Sequence, residues 1–138
     1  MWWIYALLSA FFAALTAIFA KIGIKGVDSD LATAIRTVII LIVAWLIVYF
    51  KGSFQSITSL TKYSIIFICL SGIATGLSWI FYFRALQVGK VSQVAPVDKL
   101  SVALAIILSV LFLKEVLTIK TAVGALLIIG GTIVLILN

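Results

Sequence analysis

Residues 31–50 read LATAIRTVIILIVAWLIVYF. This stretch decides the fold. It is 20 residues long, the length that spans about 30 Å of hydrocarbon as a helix. It contains no Pro or Gly and one charge, Arg36. In hydrocarbon every backbone N–H and C=O must be satisfied within the segment itself, so a single apolar run of this length can only be a helix.

Working outward, four more runs have the same character. The spans expected are Trp2–Ala20, Leu31–Phe50, Ser64–Phe83, Val91–Leu113 and Thr121–Leu137. The chain has 138 residues, 65% of them hydrophobic and 10% charged, far from the near-half apolar and quarter charged balance of soluble domains. Five spans use about 100 residues, so no on-board ATPase or soluble enzyme domain fits in what remains. The first run has no Lys or Arg before it and four spans after it, and reads as a retained span rather than a cleaved signal. The fold expected is an all-α integral membrane protein of five transmembrane helices, a single domain over 1–138.

The net charge of +6 does not point to nucleic acid. The ten Lys and Arg residues stand singly between apolar runs, as interfacial anchors do, and not clustered on one face. There is no His, and the one cysteine, Cys69, lies in an apolar run. No disulfide framework, metal site or cofactor is expected. An enzyme would need convergent His, Asp or Glu groups, and four acids without a His do not supply them.

The loops carry their own signals. KIGIKGVDSD after span 1 holds turn-forming Gly and Asp, with Asp30 placed to cap span 2. KGSFQSITSLTK after span 2 is the longest connection and is expected to carry an interfacial turn of helix. The two remaining connections are very short, which makes spans 3, 4 and 5 successive antiparallel neighbours. Lys51, Lys62, Lys114 and Lys120 flank one membrane face, and Lys21, Lys25, Arg84 and Lys90 flank the other. The basic bias that normally sets orientation is nearly absent. Insertion both ways up, giving an antiparallel homodimer with the symmetry of an inverted-repeat transporter, competes with a single orientation tipped by Arg36.

Polar and small residues form stripes. Span 3 carries Ser71, Thr75, Ser78 and Tyr82 near one face, flanked by Gly72, Gly76, Trp79 and Phe83. Span 4 carries Asp98, Ser101, Ala105 and Ser109, and span 1 Ala6, Ser9, Ala13 and Thr16. Close helix packing explains such stripes, and so does a solute cavity walled by Trp79 and Tyr82. Gly72 with Gly76, and Gly124 with Gly131, have the spacing of helix-contact or dimer seams. Asp98 is the only carboxylate well inside a span, and such a residue is by default a functional-site candidate. Lys99 is its chain neighbour and should not face it along a helix; Arg36, entering from the same membrane face, is the expected partner. Pro96 is a hinge if span 4 starts at Val91, or an ordinary first-turn proline if it starts at Ala95.

The run Phe83-Arg84-Ala85-Leu86, then Gly89 and Val91-Ser92-Gln93-Val94-Ala95-Pro96, resembles the span 3 to span 4 junction of EamA-type proteins of the drug/metabolite transporter superfamily. Leu113-Lys114-Glu115, Gly124 and the Gly130-Gly131 pair extend the resemblance. The usual member looks like two such units fused with inverted topology; this chain has one, a half-transporter unit. The resemblance implies a secondary transporter or facilitator of small organic solutes in a prokaryotic cell membrane, working by alternating access. It also implies a cavity built from spans 1, 3 and 4. Glu115 would be structural, a cap or an ion pair with Lys120. The small multidrug resistance family is related, but its span 1 carboxylate has no counterpart here.

On this reading Trp79, Tyr82, Ser78, Thr75, Ser71 and Ser101 contact the solute. Asp98, Lys99 and Arg36 form a polar gate whose net positive charge favours carboxylate or phosphate solutes. The alternative is a non-transporting subunit, or half of a hetero-oligomer.

Overall fold

A computed structural model describes residues 1–137. The helices are α1 (Trp2–Gly23), α2 (Ser29–Phe50), α3 (Lys62–Val88), α4 (Val91–Asp98), α5 (Leu100–Leu113) and α6 (Ile119–Ile136), with a 3₁₀ segment, Ser53–Ser59, between α2 and α3. No strand occurs among the described residues. Five segments are long and apolar enough to cross a membrane: α1, α2, α3, α4 with α5 counted as one, and α6. At most 11% of the most apolar window of any span is buried, so lipid or other protein must cover the rest.

The chain resolves into two compact units. One comprises Met1–Ile18 and the chain from Val88 onward; the other is Phe19–Gln87. Within the first, α4 and α5 pack along α6. α5 ends on Lys114 in the left-handed conformation (φ 55°), and the N–H of Glu115 donates to the Ser109 carbonyl at 3.3 Å. Glu115 therefore contributes its backbone at this helix end, and it forms no ion pair with Lys120. Thr118 caps α6 by accepting from the Thr121 N–H.

In the second unit the cap of α2 is Asp28, not Asp30. The Asp28 carboxylate accepts from the N–H groups of Asp30 and Leu31 at 3.0 and 2.9 Å. Asp30 is displaced into the first turn because the helix begins at Ser29, two residues before the apolar run. α3 continues five residues past Phe83, the end of the span expected from sequence. The continuation is stable because Arg84 pairs with Asp30, while Phe83 and Leu86, three apart on one face, are 1% and 0% exposed. The 3₁₀ segment lies against α2, with Phe54 stacked on Trp45 at 5.5 Å between ring centroids.

Candidate functional site

The buried centre of the second unit lies where the end of α1, the start of α2 and the end of α3 meet. Ala20, Ile24, Phe83 and Leu86 are buried there together with Ser29 and Thr33. The buried hydroxyl of Thr33 is satisfied within its own helix, donating to the Ser29 carbonyl at 2.7 Å. Polar contacts lace the rim. Arg84 holds Asp30 in a forked ion pair, with Nε donating to Oδ1 at 3.0 Å. Gln87 donates to the Val27 carbonyl at 2.8 Å, and Lys21 donates to the Leu86 carbonyl. A half-open cleft of about 620 Å³ at this rim is lined by Lys21, Ile22, Ile24, Lys25, Gly26 and Gln87.

Arg36 sits deeper. It is seven residues beyond the start of α2, about 10 Å along the helix. Its guanidinium carbon lies 4.0 Å from the ring centroid of Phe83 and 5.7 Å from that of Trp79. Both rings come from one face of α3, four residues apart. Cation–π contact stabilises the charge without using a conventional hydrogen-bond acceptor. One terminal nitrogen, Nη1, is buried without a hydrogen-bond partner. A charge inside a span is costly, and an unsatisfied buried donor adds about 1–3 kcal/mol. An arginine that only anchored the helix would snorkel to the headgroups and avoid both terms; this one is held on two rings.

In the first unit, Lys99 bonds Asp98 at 3.2 Å, against the expectation that chain neighbours do not face each other. That expectation holds in a continuous helix. Here the helix breaks between the two: α4 ends at Asp98, Lys99 is the junction, and α5 begins at Leu100. The break follows from Pro96. α4 starts at Val91, so Pro96 is inside the helix and supplies no N–H to the carbonyl a turn earlier. The next turn tightens, with the Lys99 N–H on the Pro96 carbonyl at 3.0 Å. Thr132 of α6, 4% exposed, donates to the Ile128 carbonyl at 2.8 Å and reaches the Pro96 carbonyl at 3.3 Å. The break is thus tied to a neighbouring helix by a hydroxyl.

The sequence pattern of the EamA-like transporter family matches residues 1–137. The chain belongs to that family. It is 48% identical over 134 residues to an uncharacterized transporter from the cobO 3' region of a Sinorhizobium species, an alignment covering 97% of this chain and 95% of that protein. It is 33% identical over 100 residues to an uncharacterized protein of Methanocaldococcus jannaschii, covering 66% of this chain and 73% of the other. No solved structure matches. This EamA-like protein is a multi-pass membrane protein of a transporter class.

Of the wall residues expected from sequence, Trp79 and Tyr82 are half-buried in the second unit, and Tyr82 lies edge-on to Phe83 at 5.3 Å. Ser71, Thr75 and Ser78 are exposed on α3, with the Thr75 hydroxyl turned back to the Ser71 carbonyl; Ser101 is exposed on α5. A Cβ added at Gly72, Gly76, Gly124 or Gly131 would meet nothing within 4 Å. Within their own units these glycines leave open space on their helices. Phe83 as the shelf for Arg36 and Thr132 as the partner of the Pro96 carbonyl were not singled out from sequence. The i,i+4 spacing of Trp79 and Phe83 was a usable signal; Thr132, one hydroxyl in an apolar run, offered none.

Proposed function

We propose that this EamA-like protein is a secondary transporter or facilitator that moves small organic solutes across a prokaryotic plasma or inner membrane by alternating access. It acts as one EamA-like domain over 1–138, paired with a second copy inserted the other way up. The family match over 1–137 is the observation that carries the transporter reading. The antiparallel pairing is supported by the even division of Lys and Arg between the two membrane faces, which leaves no strong orienting bias. The open glycine faces of α3 and α6 are the seams a second copy would use.

In the second unit, Trp79, Tyr82, Ser78, Thr75 and Ser71 are the solute contacts in this reading and Arg36 is a polar gate. In the first unit, Ser101 is a solute contact, the Asp98–Lys99 pair a polar gate and the Pro96 break a point of bending. Asp98 is the candidate proton carrier if flux is coupled to protons.

Two C-terminal fusions test the pairing, one reporter active only inside the cell and one only outside. Comparable signals from both support insertion in two orientations, and purified protein in liposomes should then carry flux alone. Signal from one reporter only removes the antiparallel homodimer and turns the search toward a different partner half.

A further inference from the structure

We propose that Arg36 is the recognition group for an organic anion, a solute bearing a carboxylate or a phosphate, presented on the aromatic platform of Phe83 and Trp79. The inference rests on the transporter reading above and names the solute class.

Three observations converge on it. First, the guanidinium is fixed rather than adrift. Phe83, 1% exposed, lies 4.0 Å beneath the guanidinium carbon, and Trp79 flanks it at 5.7 Å. Second, one of its donors is unmet. Nη1 is buried with no hydrogen-bond partner, and Arg36 forms no ion pair among the described residues. Third, the acids of its own unit are committed elsewhere. Asp30 is forked onto Arg84, and Asp28 caps α2.

A guanidinium held against two rings, with a buried donor left unpartnered, has the chemistry that a two-oxygen acceptor satisfies. Carboxylates and phosphates take guanidinium bidentately, and these bonds are short, directional and charge-assisted. A neutral solute would leave the cation uncompensated in a medium where an unpaired charge is expensive, and a cationic solute would be repelled. The same group would accept a free organic anion from water or the phosphate of a lipid headgroup. The two sources share one chemistry and are separable by experiment.

The test uses Trp79 as reporter. Replacing Trp2, Trp3 and Trp45 by Phe leaves it the only indole in the full chain. The protein, purified in an uncharged detergent without lipid, is titrated with benzoate, succinate, methyl phosphate and inorganic phosphate. Benzamide and choline serve as uncharged and cationic controls, and vesicles containing phosphatidylglycerol supply the lipid arm. At least one soluble anion should change Trp79 emission saturably while benzamide and choline do not. R36Q should weaken that binding tenfold or more, and R36K, which keeps the charge without the fork, several-fold. Response to phosphatidylglycerol alone assigns the guanidinium to a headgroup and overturns the solute proposal. So does absence of any anion response, an equal response to benzamide, or unchanged binding in both variants. Should R36Q fail to fold, judged by helicity and monodispersity, the R36K comparison decides. Flux into liposomes separates this from the parent reading. Anion binding without flux of any solute leaves the site standing and removes the transporter mechanism. Flux of neutral or cationic solutes without anion binding does the reverse.

Discussion

Replacing Phe83 by Leu should cost about 2–4 kcal/mol, and roughly half of that should vanish when Arg36 is also replaced by Met. The ring is 1% exposed, so Leu leaves a gap that the surrounding helices close only in part, at about 1–2 kcal/mol, less than the roughly 3–5 kcal/mol of a truncation to Ala. The remainder is the cation–π contact. At 4.0 Å, in a site sheltered from water, it is worth about 1–2 kcal/mol, the upper part of the range for such pairs. Arg36→Met keeps the length of the stem and removes both the charge and the unsatisfied donor, so alone it should be neutral or stabilising. The quantity to read is the coupling between the two changes, from reversible unfolding of the wild type, both single variants and the double variant in mixed detergent–SDS micelles. A coupling of about 1–2 kcal/mol is expected. One under about 0.5 kcal/mol lies within the scatter of independent sites and would refute the reasoning that Phe83 holds Arg36. Trp79→Leu, acting from 5.7 Å, should couple to Arg36→Met by less than Phe83→Leu does.

Other expected outcomes follow from single contacts. Asp28→Ala removes the N-cap of α2 and should lower stability by about 1 kcal/mol in the same unfolding assay, whereas Asp28→Asn, a good capping residue itself, should cost much less. Thr132→Val deletes the hydroxyl shared by the Ile128 and Pro96 carbonyls; a loss of about 1 kcal/mol is expected, recovered largely by Thr132→Ser, and equal loss in both would remove the hydrogen bond as the cause. If flux is proton-coupled, Asp98→Asn should abolish uptake driven by a pH gradient while the protein remains folded; full uptake by this variant would dismiss Asp98 as the carrier.

The legible part of the candidate site was the part written on one helix. Trp79, Phe83 and the hydroxyls of span 3 could be placed on neighbouring faces from spacing alone, and Arg36 and Asp98 stood out because charges inside apolar runs are rare. Their partners were not legible. Within its own unit the contacts of Arg36 are rings, and within its own unit the contact of Asp98 is Lys99; depth and sign indicate neither. The capping residue was misplaced by two positions because the apolar run, from which the helix start was read, begins two residues after the helix itself.

Apolar run length by itself determined that this chain crosses a membrane as helices, and the scarcity of His, Cys and acids removed metal, disulfide and hydrolytic chemistry from expectation. Those are properties of segments and counts: the bilayer demands helices whatever their neighbours. Only the tertiary structure decided that α3 runs on to Val88 because Asp30 neutralises Arg84. It alone decided that the helix breaks at Lys99 under a hydroxyl from α6, and that a membrane arginine rests on two rings with one buried donor unpartnered. Each depends on residues distant in the chain meeting in space, and the partner of a charge is chosen by that meeting rather than by its own sequence neighbourhood.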